Sequence, residues 1–189
     1  MECVIEYMDL GDLRTYLSKH SPDDYHWDQK FESIYSIVHG LVYLHTFSPP
    51  IIHRDLKSRN VLVDSVKGTK LTDFGTSKLI QDDQRTMTCA IGTYRWMAPE
   101  VLSDSKYSLA ADIYSFGIII SEFCTHKLPY SSMSNLQVYH EVMKGGVYPS
   151  FDDNAPEWVK DMAIQCLQVN AQDRPTVLEL SVMLPRKNT

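Results

Sequence analysis

Apolar residues change their period several times along this chain, and each change marks a boundary. From Trp27 the positions Phe31, Ile34, Val38, Leu41, Val42 and His45 recur every three or four residues, which predicts an amphipathic helix. The triplet Ser48-Pro49-Pro50 stops it. Two short β-branched runs follow, Val61-Leu62-Val63 and Lys70-Leu71-Thr72, joined through Lys67-Gly68 as a small hairpin. Residues 110–124 ("AADIYSFGIIISEFC") are apolar nearly all round, as in a helix buried through the centre of a domain. Further helices are predicted over residues 135–144, 156–167 and 176–184, with Pro156 and Pro175 placed where a first helical turn tolerates proline. Before all of these, "CVIEYM" reads as a strand, residues 9–12 as a turn around Gly11, and residues 13–17 as a short helix. Residues 75–94 are polar and rich in Thr and Gln, a long loop of the kind that usually carries function. The sum is a mainly α fold with a few short β-strands.

Composition narrows the possibilities. At 189 residues the chain suits one well-buried domain, and 43% hydrophobic with 22% charged content is ordinary for a globular protein. A net charge of −6 argues against nucleic acid or an anionic membrane as the main partner. The cysteines Cys3, Cys89, Cys124 and Cys166 form no CxxC pair, and the histidines form no HExxH. Free thiols in a reducing compartment are therefore expected, with no zinc site. The longest apolar run, around Ile118-Ile119-Ile120, is too short to span a bilayer, and the acidic start "MECVIEYMDLGDL" lacks the features of a signal peptide. These features predict a cytoplasmic chain with no membrane segment.

One stretch concentrates chemistry: "HRDLKSRNVLVD" over residues 53–64, with Asp73 following inside "KLTDFGTSK". Phosphoryl transfer asks for clamped phosphates and a carboxylate beside the attacking hydroxyl. Mg²⁺ takes hard oxygen ligands, which an Asp and an Asn amide supply, and a nearby Lys neutralises charge on the transferring group. All four residue types lie on loops flanking the predicted hairpin. The bland alternative is that Asp55 and Asp73 are loop acids capping turns.

"HRDLKSRN", then "DFG", then "APE" at Ala98-Pro99-Glu100, in that order, resembles the large C-terminal lobe of a eukaryotic protein kinase, and in particular the tyrosine-kinase-like group of Ser/Thr kinases. The resemblance implies a protein-kinase-like fold, with ATP and Mg²⁺ as cofactors and a protein as substrate. It implies Asp55 as catalytic base, Lys57 as the phosphate-charge partner, and Asn60 and Asp73 as metal ligands. His53 and Phe74 would stack beneath the site. Glu6-Tyr7-Met8 resembles the hinge that holds adenine, with Ile5 at the gatekeeper place, Asp12 near the ribose, and Leu13 and Leu62 sandwiching the base. Asp112 would anchor the catalytic-loop backbone, and Glu100 would pair with Arg174. Lys57, with Gly92-Thr93 before "RWMAPE", follows the Ser/Thr pattern, Thr93 positioning the substrate; "RWMAPE" itself is similar to tyrosine kinases, so dual specificity stays open. A phosphate on Thr86 or Thr88, paired with Arg54 and Lys78, would order the long loop.

The same resemblance divides the chain into a hinge over residues 1–12 and a helical large lobe over residues 13–189. No GxGxxG and no "VAIK"-like strand occur in it, so the N-terminal lobe is absent and is expected upstream of Met1. The segment alone is then expected to be inactive, with an apolar edge exposed at its opening strand. The alternative is a non-catalytic, pseudokinase-like module that binds other proteins.

Overall fold

The computed structural model describes residues 5–79, 93–104 and 107–185. Strand β1 (Gly11–Asp12) runs directly into helix α1 (Leu13–Lys19), which Asp12 caps by accepting the Thr15 amide. Helix α2 (Trp27–His45) follows and buries Ile34, Ile37, Val38, Leu41 and Leu44. The two-residue strand β2 (Ile51–Ile52) leads into the stretch singled out above. Strands β3 (Val61–Asp64) and β4 (Gly68–Leu71) form the predicted hairpin, with Val61 opposite Leu71 and Asp64 opposite Gly68. Strand β1 adds antiparallel to β3, giving the sheet order β1-β3-β4, while β5 (Lys78–Leu79) pairs with β2. At the turn, the Lys67 and Val66 amides donate to Asp64 and hold its carboxyl well below the usual range.

The second half is helical: α3 (Pro99–Asp104), α4 (Leu109–Thr125), α5 (Asn135–Lys144), α6 (Glu157–Cys166) and α7 (Val177–Met183). Capping boxes start α5 through Ser134 and Gln137, and α7 through Thr176 and Glu179. Helix α4 is the axle of the domain, with every residue from Ala111 to Cys124 buried. Helix α6 lies against it so closely that a Cβ on Gly117 would stand 2.8 Å from Cys166 Cβ.

Several boundaries differ from expectation. Residues 5–8 form no strand, residues 1–4 lie outside the described set, and Gly11 and Asp12 are strand rather than turn. Pro156 occupies the N-cap of α6, and Pro175 precedes the Thr176 cap of α7. Helix α3 and the β2–β5 pair were not anticipated, since six residues and two-residue pairings carry too little periodicity to register. Lys30, a polar position in the α2 pattern, is buried, its ammonium 4.8 Å from the Trp27 ring centroid. Among the described residues no helix is long and apolar enough to cross a membrane. Cys124 and Cys166 are free thiols in the core.

Candidate active site

The site stands on α4. Asp112 is buried near its start and accepts three hydrogen bonds: His53 N at 2.8 Å, Arg54 N at 3.0 Å and His45 Nε2 at 3.0 Å. The backbone pair fixes a bend in which Arg54 adopts the left-handed region with φ 71°. A bulky residue rarely adopts that conformation unless its surroundings impose it. One carboxylate thus sets the direction in which residues 55–60 leave the helix surface.

Within that loop, Asp55 Oδ2 accepts Lys57 Nζ at 2.7 Å and Asn60 Nδ2 at 3.0 Å. Asn60 Nδ2 also donates to the Asp55 carbonyl at 2.7 Å, so its amide nitrogen is fully occupied. Both amide protons being spent, the side-chain oxygen of Asn60 and the second carboxylate oxygen of Asp55 receive no donor from any described residue. A 3₁₀ turn over Ser58–Asn60 closes the loop, with Asn60 N donating to Lys57 O at 2.8 Å.

Asp73 enters from the other arm of the hairpin. Thr72 N donates to Asn60 O at 3.0 Å, which sets the backbone of residue 73 beside that of Asn60. Asp73 itself is exposed and left-handed, φ 63° and ψ 62°. The Phe74 ring lies 5.3 Å from His53 by centroids and remains 49% exposed. His53 Nε2 meets Thr72 O at 3.1 Å, so the two arms are pinned together.

The nucleotide-side predictions have mixed placements. Met8 is buried and its carbonyl accepts Gly11 N at 3.2 Å, while Tyr7 O is taken by Lys67 Nζ. Ile5 and Tyr7 are exposed, and exposed Glu6 pairs with Lys70 at 2.6 Å and Lys67 at 3.6 Å. The Lys70 bond holds the Glu6 carboxyl below its ordinary value. Both Asp12 oxygens are engaged by Thr15, at 2.9 Å to N and 2.7 Å to Oγ1. Leu62 is half-buried opposite Asp12. Leu13 is a correction: it is fully buried in the core and cannot sandwich a base, because the first turn of α1 points it inward.

The expected ion pair is present. Arg174 bonds Glu100 in bidentate fashion at 2.7 and 2.8 Å and also donates to the carbonyls of Gln168, Ala110 and Val169. The Arg54 guanidinium lies 4.4 Å from the Tyr107 ring centroid. Lys78 sits in β5 opposite Ile52, and Thr93 opens a 3₁₀ turn over Thr93–Trp96; the side chains of both lie outside the described set. Thr86 and Thr88 lie outside the described residues. Sequence reasoning missed His45 and Glu122. Glu122 had a signal, a lone acid inside "IIISEFC"; His45 had none beyond its place on the buried face of α2.

A helical lobe turned about one buried helix, with a short hairpin joining the Asp55 loop to Asp73, is the C-terminal-lobe-like half of a phosphotransferase fold. The chain belongs to the protein tyrosine and serine/threonine kinase family, whose model matches residues 1–184. It is 35% identical over 182 residues to a probable serine/threonine-protein kinase of Dictyostelium discoideum, covering 96% of this chain and 17% of that protein. It is 39% identical over 172 residues to the probable serine/threonine-protein kinase drkA of the same organism, covering 91% of this chain and 26% of that one. To the serine/threonine/tyrosine-protein kinase HT1 of Arabidopsis thaliana it is 35% identical over 185 residues, covering 97% and 47%. The chain thus spans less than half the length of each of these relatives.

Proposed function

We propose that this chain supplies the large lobe of a protein kinase that moves the γ-phosphate of ATP onto Ser or Thr hydroxyls of proteins. The observation that carries the reading is the sharing of Asp55 Oδ2 by Lys57 and Asn60, with Asp73 held beside Asn60 through the Thr72–Asn60 bond. The occupied Oδ2 orients the carboxylate and leaves Oδ1 to take the proton of an incoming hydroxyl. Lys57, already 2.7 Å from that carboxylate, places a positive charge where negative charge gathers on the transferring group.

The donor set fits Mg²⁺. Mg²⁺ takes hard oxygen ligands, one or two of them from the protein and others from the phosphates themselves. Asn60, its nitrogen spent, offers an oxygen, and exposed Asp73 offers a carboxylate. When bound, the cation neutralises charge on the phosphates. Leu62, the backbone around Met8 and the ribose-side Asp12 would receive the nucleotide. Residues 1–189 contain no glycine-rich phosphate loop, so this segment by itself is inactive. Lys57 and the names of the relatives favour Ser/Thr over Tyr as acceptor. A local pairing of Arg54 and Lys78 with phosphorylated Thr86 or Thr88 belongs to the same reading. So does a cytoplasmic setting.

The test is transfer of labelled phosphate from ATP by the full-length protein to a mixed peptide library, followed by phosphoamino-acid analysis. Label on Ser or Thr that disappears in Asp55→Asn supports the reading. Label that survives Asp55→Asn overturns it, and a parent protein that binds partners without transferring phosphate establishes the non-catalytic module instead.

A further inference from the structure

Helix α4 carries a second acid that the mechanism above does not use. Glu122 lies in an otherwise apolar run, and none of its side chain reaches solvent. A buried carboxylate persists only if donors surround it, and here three arrive from three separate segments. Ser58 Oγ donates to Oε1 at 2.8 Å, Arg14 Nη1 to the same oxygen at 3.2 Å, and Trp96 Nε1 to Oε2 at 2.9 Å. Ser58 begins the turn that ends at Asn60, Arg14 lies on α1 just past Asp12, and Trp96 ends the turn that leads into α3.

Two of these donors are fixed a second time. Arg14 Nη2 donates to His126 O at 2.9 Å, and Trp96 O accepts Ser115 Oγ at 2.7 Å. Arg95, next to Trp96, spends its guanidinium on the carbonyls of Pro129, Tyr130 and Met133 at 2.7, 2.7 and 2.8 Å. The Trp96 segment is thus anchored independently of the Asp55 loop, and the Glu122 carboxylate bonds both. Burial pushes this carboxyl up to about 7 against the pull of Trp96, Ser58 and Arg14.

We propose that Glu122 is a positioning residue for phosphoryl transfer, setting the register between the loop of residues 55–60 and the turn over Thr93–Trp96. The proposal rests on the kinase reading above. Asp112 fixes where the loop begins; Glu122, through Ser58, fixes where it ends, and so where Asn60 and the carboxylate it holds are aimed.

The test uses the full-length protein with Ser58→Ala, which deletes one donor at little cost in volume, and Glu122→Gln, which turns one acceptor into a donor facing donors. Ser58→Ala is expected to lower kcat about tenfold and Glu122→Gln up to about a hundredfold, with KM for ATP within about twofold. The double variant falls no further than Glu122→Gln, because both act through one contact. In nitrogen-15-labelled protein the Trp96 indole resonance shifts in Ser58→Ala, since the two donors share one carboxylate. Unchanged kcat in Ser58→Ala, or an unshifted indole, overturns the proposal even where melting temperature drops. Should Glu122→Gln fail to fold, Ser58→Ala alone decides. A parent protein inert toward ATP overturns the functional reading itself, and is recognised by inactivity before any substitution.

Discussion

Residues 53–60 and residues 73–75 carry the acids of the proposed site, yet they are built in opposite ways. The first is held from below: Asp112 takes the His53 and Arg54 amides, Glu122 takes Ser58, and Asn60 returns to Asp55. The second is exposed and begins on a left-handed Asp73. Half-exposed Phe74 meets His53 in a tilted ring contact. Folding of the lobe alone settles the proton-accepting half of the proposed site. The proposed metal-binding half is left to take its final geometry from what binds there.

Breaking each half separately sharpens that contrast. Asp73→Asn is expected to give the largest effect: transfer by the full-length protein falls at least about a thousandfold. Unfolding stability stays within about 0.5 kcal/mol, because an exposed Asn tolerates the same backbone. Parallel rate and melting measurements check this. Asp112→Ala strands the His53 and Arg54 amides and His45, and is expected to cost about 3–5 kcal/mol in denaturant melts while also lowering transfer.

Glu122 gives a pH signature. Its folded value of about 7 lies above the ordinary 4.5, so ionisation adds no penalty while both states are protonated and its full penalty once both are ionised. Stability of the parent relative to Glu122→Gln is therefore full below pH 4.5 and declines by roughly 3 kcal/mol as pH rises through about 7. Urea melts of both proteins at acid and mildly alkaline pH measure the difference. Gly117→Ala gives the smallest effect, about 1–3 kcal/mol of overpacking, since its Cβ would stand 2.8 Å from Cys166 Cβ and 2.9 Å from Leu167 Cγ. It acts on the support that the two halves share.

How much of this was readable in the chain depended on length and repetition. Helix α2 declared itself because its apolar residues recur every three or four positions, α4 because its apolar run is too long for a strand, and the β3–β4 hairpin because Lys67-Gly68 separates two β-branched runs. The pairing of Ile51–Ile52 with Lys78–Leu79 did not, because two residues carry no period and the partners lie far apart in sequence. Motif order pointed to Asp55, Asn60 and Asp73 without showing how they are held. Which oxygen of Asp55 is occupied is decided by Lys57 and Asn60 meeting in space. Leu13 misled for a related reason: an apolar residue after a turn reads alike whether it faces a cleft or the core, and the helix phase set by the Asp12 cap turned it inward.

Gly117 lies midway between Asp112 and Glu122, five residues from each. With no side chain there, Cys166 and Leu167 rest on the peptide backbone of the axle itself. A tilt of α6 would press directly on backbone roughly one and a half turns from either acid, with no flexible atoms between to absorb it. Through that contact α6 is mechanically one piece with the helix that holds the loop of residues 53–60 from below.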